Sequence, residues 1–222
     1  MSDTTPTEPV AAGAPEAYPV TVRAQVDEPL HRWLWLVKWL LALPHLVVLA
    51  VLWVAFVVLT IVAGVAIAFT GRYPRGIFDF NLGVMRWSWR VQLYAFTLTT
   101  DRYPPFTLTA VPDYPGELDV AYPEQLSRGL VWVKWWLLAI PHYVIIGFFL
   151  GGPQVGGGLV AVLALIAGVF LALGRPYPRS ILDFIVGMHR WAWRVTAYAA
   201  LMRDEYPPFR LDMGPDEPTN LE

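Results

Sequence analysis

The stretch GRYPRGIFDF at 71–80 and a near copy, GRPYPRSILDF at 174–184, each follow a long apolar run. Glycine at the end of such a run terminates a helix, and proline three or four residues later prevents its continuation. The two stretches therefore read as turns in which arginines sit among headgroups, and from which a second, polar-striped helix departs. Their repetition sets the architecture. Pro74–Ala95 aligns without gaps to Pro178–Ala199 with 13 of 22 residues identical, including Asp79/Asp183, Arg86/Arg190, Trp87/Trp191, Trp89/Trp193 and Arg90/Arg194. Both copies close on Tyr-Pro-Pro-Phe, at 103–106 and 206–209, and both open with Val-Lys-Trp and Pro-His.

The apolar runs set the class. The 222 residues are 56% hydrophobic and only 15% charged, against about 25% charged in an ordinary soluble domain. Positions 34–69 hold one charge, Lys38, and positions 130–173 hold only Lys134. Runs of this length read as membrane segments. There is no cleavable signal pattern, and residues 1–17 read as a disordered Pro/Thr/Ala-rich tail. Zero cysteines remove thiol chemistry and disulfides.

Internal similarity divides the chain into repeat 1 (18–110), a linker (111–113), repeat 2 (114–213) and an acidic disordered tail (214–222). Short alternating stretches at 20–26, 106–110, 116–121 and 209–213 read as four strands of one small extramembrane sheet. If each repeat begins and ends at that sheet, it crosses the bilayer an even number of times, so the repeats are parallel. Two layouts meet this condition. In one, each apolar run is a hairpin and the Arg-Trp helix lies on the surface. In the other, each run crosses once and the Arg-Trp helix crosses back. The break Gly151-Gly152-Pro153-Gln154-Val155-Gly156-Gly157-Gly158 favours the hairpin. In the first run no turn residue interrupts Val51–Phe56, which weakens the hairpin there, yet as one straight helix it would reach about 54 Å, well over one span. The expected fold is thus mainly α and integral to the membrane. It has two parallel tandem repeats, each a transmembrane helical hairpin plus an amphipathic Arg/Trp interfacial helix, with short strands forming the small extramembrane sheet. All Lys and Arg then lie near one side, which places tails and linker on the cytoplasmic face of the cell membrane.

On a helix, Asp79, Arg86 and Arg90 share a narrow stripe edged by Trp, and Asp183, Arg190 and Arg194 repeat it. With Arg72, Arg75, Arg175 and Arg179, these arginines are the candidate site for anionic lipid headgroups. Asp79, Asp183, His45, His142, Lys38 and Lys134 are intramembrane polar candidates. The lysines read as snorkelling anchors and the histidines as partners of proline-freed carbonyls. Lys38 and His45 are seven apart whereas Lys134 and His142 are eight apart, so the two pairs are not equivalent on a regular helix. No catalytic constellation, metal-ligand spacing or cofactor motif is present, and nucleic acid is disfavoured.

At YPRGIFDF…RWSWR…DRYPPF, preceded by VKWLLALPH, the chain resembles a family of bacterial membrane proteins known as a domain of unknown function. The resemblance covers residues 18–211 and implies membrane location and tandem copies; it implies no activity. The expected function is a non-enzymatic membrane-organising, anionic-lipid-binding or partner-docking module, with a homo-oligomer open. The alternative is a small transporter or channel, which needs a polar cavity between the repeats. A membrane enzyme is the least supported.

Overall fold

A computed structural model describes residues 18–151 and 158–212. The two terminal tails and most of the glycine-rich break lie outside these residues. In chain order the elements are β1 (Val20–Ala24), α1 (Trp35–Leu41), α2 (Leu43–Thr70), α3 (Arg75–Ala95), β2 (Gly116–Val120), α4 (Ile140–Leu150), α5 (Leu159–Ala172) and α6 (Arg179–Ala199). A 3₁₀ turn (Leu130–Trp132) and a π-helical turn (Lys134–Leu138) precede α4.

The first apolar run is not a hairpin. With nothing in its middle to break it, α2 continues for 28 residues, about 42 Å. Pro44 sits in its first turn, where a missing N–H costs nothing. Gly71 ends it in the left-handed region (φ 72°), its N–H bonded to the Ile67 carbonyl at 2.8 Å. Pro74, extended, then starts α3, which runs back along α2: Trp53 Nε1 donates to Ser88 Oγ at 3.0 Å and Asn81 Nδ2 to Thr60 Oγ1 at 3.1 Å.

The second run is not a hairpin either. His142 lies against Trp191 and Phe149 against Phe184, so α4 descends along α6. A Cβ on Gly158 would meet the Phe149 carbonyl oxygen at 2.6 Å, so the chain resumes where α4 stopped. The buried positions of α5, Val160, Ala167, Gly168 and Leu171, then repeat those of α2, Phe56, Ala63, Gly64 and Ile67, at a constant offset of 104. Together α4 and α5 are the counterpart of α2, with the glycine-rich residues inserted between them.

Two strands form where four were expected. β1 and β2 pair antiparallel, Val20 opposite Val120 and Val22 opposite Leu118, and these four side chains are buried. The segments at 106–110 and 209–212 are bends and coil that pair with no strand, and arginines take their carbonyls; Met213 lies outside the described residues. With the repeats divided at 111–113, as the sequence similarity divides them, each strand packs on the other repeat. β2, which opens repeat 2, packs on α3; β1, which opens repeat 1, packs on α6.

The result has three layers: apolar helices α2 and α4–α5, then α3 and α6, then the strand pair. Asn81 and Ser88 meet α2 while Arg86 and Leu93 meet β2. At 100° per residue these faces of α3 lie about 120–160° apart. The repeats run antiparallel side by side, since Gly64 abuts Val131 and Leu201 at one end and Gly168 abuts Trp35 at the other. Among the described helices only α2 is long and apolar enough to cross a membrane.

Candidate functional site

The Arg-Trp helices do not lie exposed at a surface. From Asn81 to Ala95, α3 is buried except at Arg86 and Gln92, and Trp89 is fully covered. The sandwich of α2 and β2 accounts for this, and α6 repeats it between α5 and β1. The four arginines of the stripes are accordingly spent on backbone. Arg86 donates to the Leu118 carbonyl at 3.0 Å and pairs with Asp119 at 2.6 Å. Arg90 donates to the carbonyls of Thr107 and Thr109. In repeat 2, Arg190 donates to Val22 O at 3.1 Å and Leu211 O at 2.7 Å, and Arg194 to the carbonyls of Arg210 and Asp212. A buried guanidinium with five fixed donors suits this work, serving carbonyls that would otherwise be ladder-bonded. The expectation that these four face headgroups is corrected.

Arg72, Arg75, Arg175 and Arg179 are exposed. Arg75 lies 4.0 Å over the Tyr122 ring. Asp79 and Asp183 are also exposed, without ion pair or side-chain hydrogen bond among the described residues. The Asp-Arg stripe is therefore split: its aspartate faces out and its arginines face in.

The lysines are not snorkelling anchors. Lys38 Nζ is 2.6 Å from Asp101 and 2.7 Å from the Thr100 carbonyl, with the side chain buried. Lys134 meets Asp204 and the Arg203 carbonyl in the same way. Burial pulls both ammonium groups below the ordinary lysine pKa, and the aspartates oppose it. Leu98 (φ 61°) and Leu201 (φ 63°), both left-handed, turn the chain from each helix towards these carbonyls. Such a conformation costs about 1–2 kcal/mol in a leucine, offset here by burial of its side chain.

The histidines bind side chains, not proline-freed carbonyls. Trp87 Nε1 donates to His45 Nδ1 and Trp191 Nε1 to His142 Nδ1, each at 3.1 Å. A neutral ring then carries its proton on Nε2, which is buried and unpartnered in both. Phe106 stacks on His45 with centroids 3.9 Å apart and Tyr103 sits at 4.8 Å; Phe209 and Tyr206 do the same for His142 at 4.3 and 4.9 Å. So Asp-x-Tyr-Pro-Pro-Phe is a strap that takes the lysine with its aspartate and the histidine with its two rings. The pairs are equivalent after all. The extra residue of repeat 2 is absorbed by the π-helical turn at 134–138, as single-residue insertions into helices commonly are.

Between the repeats lies a cleft of about 1120 Å³ walled by all six helices, α1 to α6, just above the ~300–1,000 Å³ usual for ligand sites. Most of the wall is apolar. A polar strip, Thr60, Ser88, Gln92, His189 and Thr196, runs through it, and among the described residues no Asp, Glu, Lys or Arg lines it. Gln92 Oε1, Trp193 Nε1 and Trp35 Nε1 are buried without hydrogen-bond partners. None of Asp79, Asp183, His45 and His142, the residues that suggested a transport path, is on the wall. Gln92 and the two indoles carried no signal in the sequence, since only the antiparallel seating of the repeats brings them together. No group of three or more potential metal ligands occurs among the described residues.

No curated protein and no solved structure matches the chain. The family described as Domain of unknown function (DUF4389) matches residues 32–107 and 130–210, which are the two straps together with the helices they fasten. The chain belongs to this family, with two tandem copies of its domain.

Proposed function

We propose that the protein is a non-enzymatic membrane-embedded module that holds a lipid with an uncharged, hydrogen-bonding head in the cleft between its repeats. The observation that carries this is the cleft itself: large, apolar, free of charged lining among the described residues, and edged by unpartnered amide and indole groups. A buried polar group left unpaired costs about 1–3 kcal/mol, and an ester carbonyl or hydroxyl on a ligand would relieve that cost. The apolar faces of α2, α4 and α5 support a lipid environment: Val47, Val51, Val54 and Val144 are all about two-thirds exposed. Exposed tryptophans, Trp33, Trp39, Trp132, Trp135 and Trp136, frame them.

Native mass spectrometry of protein extracted from membranes tests the reading. The natural chain should carry about one neutral lipid per copy. Ala161→Trp and Ala192→Trp, which fill the cleft, should lose it without loss of Tm. A lipid-free natural chain, or retention after filling, removes the proposal.

A second reading, attraction of anionic headgroups, is favoured by the exposure of Arg72, Arg75, Arg175 and Arg179. Replacing all four by Gln should then weaken partitioning into anionic vesicles while leaving neutral vesicles unaffected; an equal response in both ends it.

A further inference from the structure

We infer that the protein sits in one leaflet of the bilayer, lying in its plane, and does not cross. The inference rests on the membrane-embedded reading above and concerns the partner of the apolar face formed by α2 and α4–α5.

Length and composition allow α2 to cross, but the layer behind it does not. α2 is antiparallel to α3, with Thr60 against Asn81 and Trp53 against Ser88. Arg86 lies between those two positions, level with the middle of α2. There it pairs with Asp119 of β2, whose side chain is half exposed. Arg23 and Glu117, neighbouring in the strand pair, are more than half exposed. If α2 stood along the membrane normal, this open two-stranded ribbon and its charges would lie at the depth of the bilayer centre. Hydrocarbon does not accept open sheet edges or lipid-facing irregular backbone, because their N–H and C=O groups find no partner. The chain between Asp101 and Val131 would also have to cross there, since Asp101 is fastened near the start of α2 and Val131 abuts Gly64 near its end.

Turned through a right angle, every conflict goes. The apolar helices form a layer about 10 Å thick, which fits within one leaflet of a hydrocarbon core about 30 Å deep and matches the depth of interfacial helices. The strand pair then faces water. The charged turns at both ends of the layer, Arg72–Arg75 and Arg175–Arg179, reach the headgroups without either entering the core. The axis relating the two repeats becomes the membrane normal, so they remain parallel repeats, as expected from the parity of their ends.

Gly76 and Ser180 are equivalent, exposed and at opposite ends of the layer, and a Cβ at Gly76 meets nothing within 4 Å. The chain has no cysteine, so Gly76→Cys, Ser180→Cys and Glu117→Cys can each be labelled in sealed vesicles with a membrane-impermeant maleimide. All three should react from the same side, and Val54→Cys should react only after detergent. Gly76→Cys and Ser180→Cys reacting from opposite sides would establish a crossing and overturn the inference. Release of the protein from membranes at alkaline pH would instead remove the membrane reading on which it stands.

Discussion

Gly83 and Gly187 occupy the same place in the two repeats, and both are present for a close approach. A Cβ on Gly83 would lie 2.7 Å from Leu108 Cβ and 2.8 Å from its carbonyl oxygen; on Gly187 it would lie 2.8 and 3.1 Å from those of Leu211. Glycine inside a helix costs about 1 kcal/mol relative to alanine, so open space at these sites would reward replacement. Here the neighbour is backbone, clamped from two turns further along by Arg90 or Arg194, and it cannot step aside cheaply. Overpacking of this kind costs about 1–3 kcal/mol, which exceeds the propensity gain. Gly83→Ala should therefore lower Tm, whereas Gly76→Ala, in open space in the first turn of the same helix, should hold or raise it. Thermal unfolding of the two variants in detergent decides the point; a stabilised Gly83→Ala would show that the strap is not held against the helix. The same clamp explains why Arg90 and Arg194 can be buried: each removes the desolvation cost of carbonyls that have no strand beside them.

The elements were legible where periodicity and punctuation act locally, and obscure where partners are distant. Gly71 and Pro74 marked the end of α2 and the start of α3 from sequence alone, and the tandem alignment located both Tyr-Pro-Pro-Phe closings. Spacing put Asp79, Arg86 and Arg90 on one stripe of α3, but which of them is exposed depended on what covered the helix. Arg86 faces a strand from the other repeat, which no spacing within repeat 1 could reveal. The glycine-rich break misled for a related reason. Composition indicates that a helix stops, but not whether the chain turns back or resumes its line, and only packing against α6 distinguishes the two. The strap could have been found: Lys, Pro-His and Asp-x-Tyr-Pro-Pro-Phe are duplicated together, which suggests that they touch. The one-residue difference in spacing argued against it until the π-helical turn accounted for the extra residue. That account predicts that deleting Leu137 gives repeat 2 the spacing of repeat 1 and keeps Lys134 on Asp204. The deletion should change stability by no more than about 1 kcal/mol, roughly 2–4 °C in Tm for a chain of this size. A collapse of the cooperative transition would mean that the π turn itself holds the end of the helix.

At the scale of the whole molecule, the exchange of strands makes the repeats interdependent. β1, at the start of repeat 1, covers α6; β2, at the start of repeat 2, covers α3. Cross-repeat hydrogen bonds follow the exchange in matched pairs. Arg86 serves Leu118 while Arg190 serves Val22, and Tyr73 donates to Ala200 O at 3.3 Å while Tyr177 donates to Thr97 O at 2.8 Å. Two repeats that merely abutted would separate when the linker was cut, because interfaces between domains of one chain are generally modest. Two repeats that have traded strands should not: each half would lose the covering of its central helix and expose Trp89, Leu93, Trp193 or Ala197 to water. A protease site placed at the exposed Pro112–Asp113 junction, between the strap of repeat 1 and β2, leaves the strand pair intact and touches only the Tyr114–Val111 turn and the bond from Arg102 to the Asp113 carbonyl. After cleavage the two fragments should co-elute from size exclusion in detergent and part only under conditions that also abolish the unfolding transition. Separation under native conditions would show that the strand exchange does not hold the molecule together. The cleft would then have to be understood as a gap between loosely joined halves, since its walls depend on that seating.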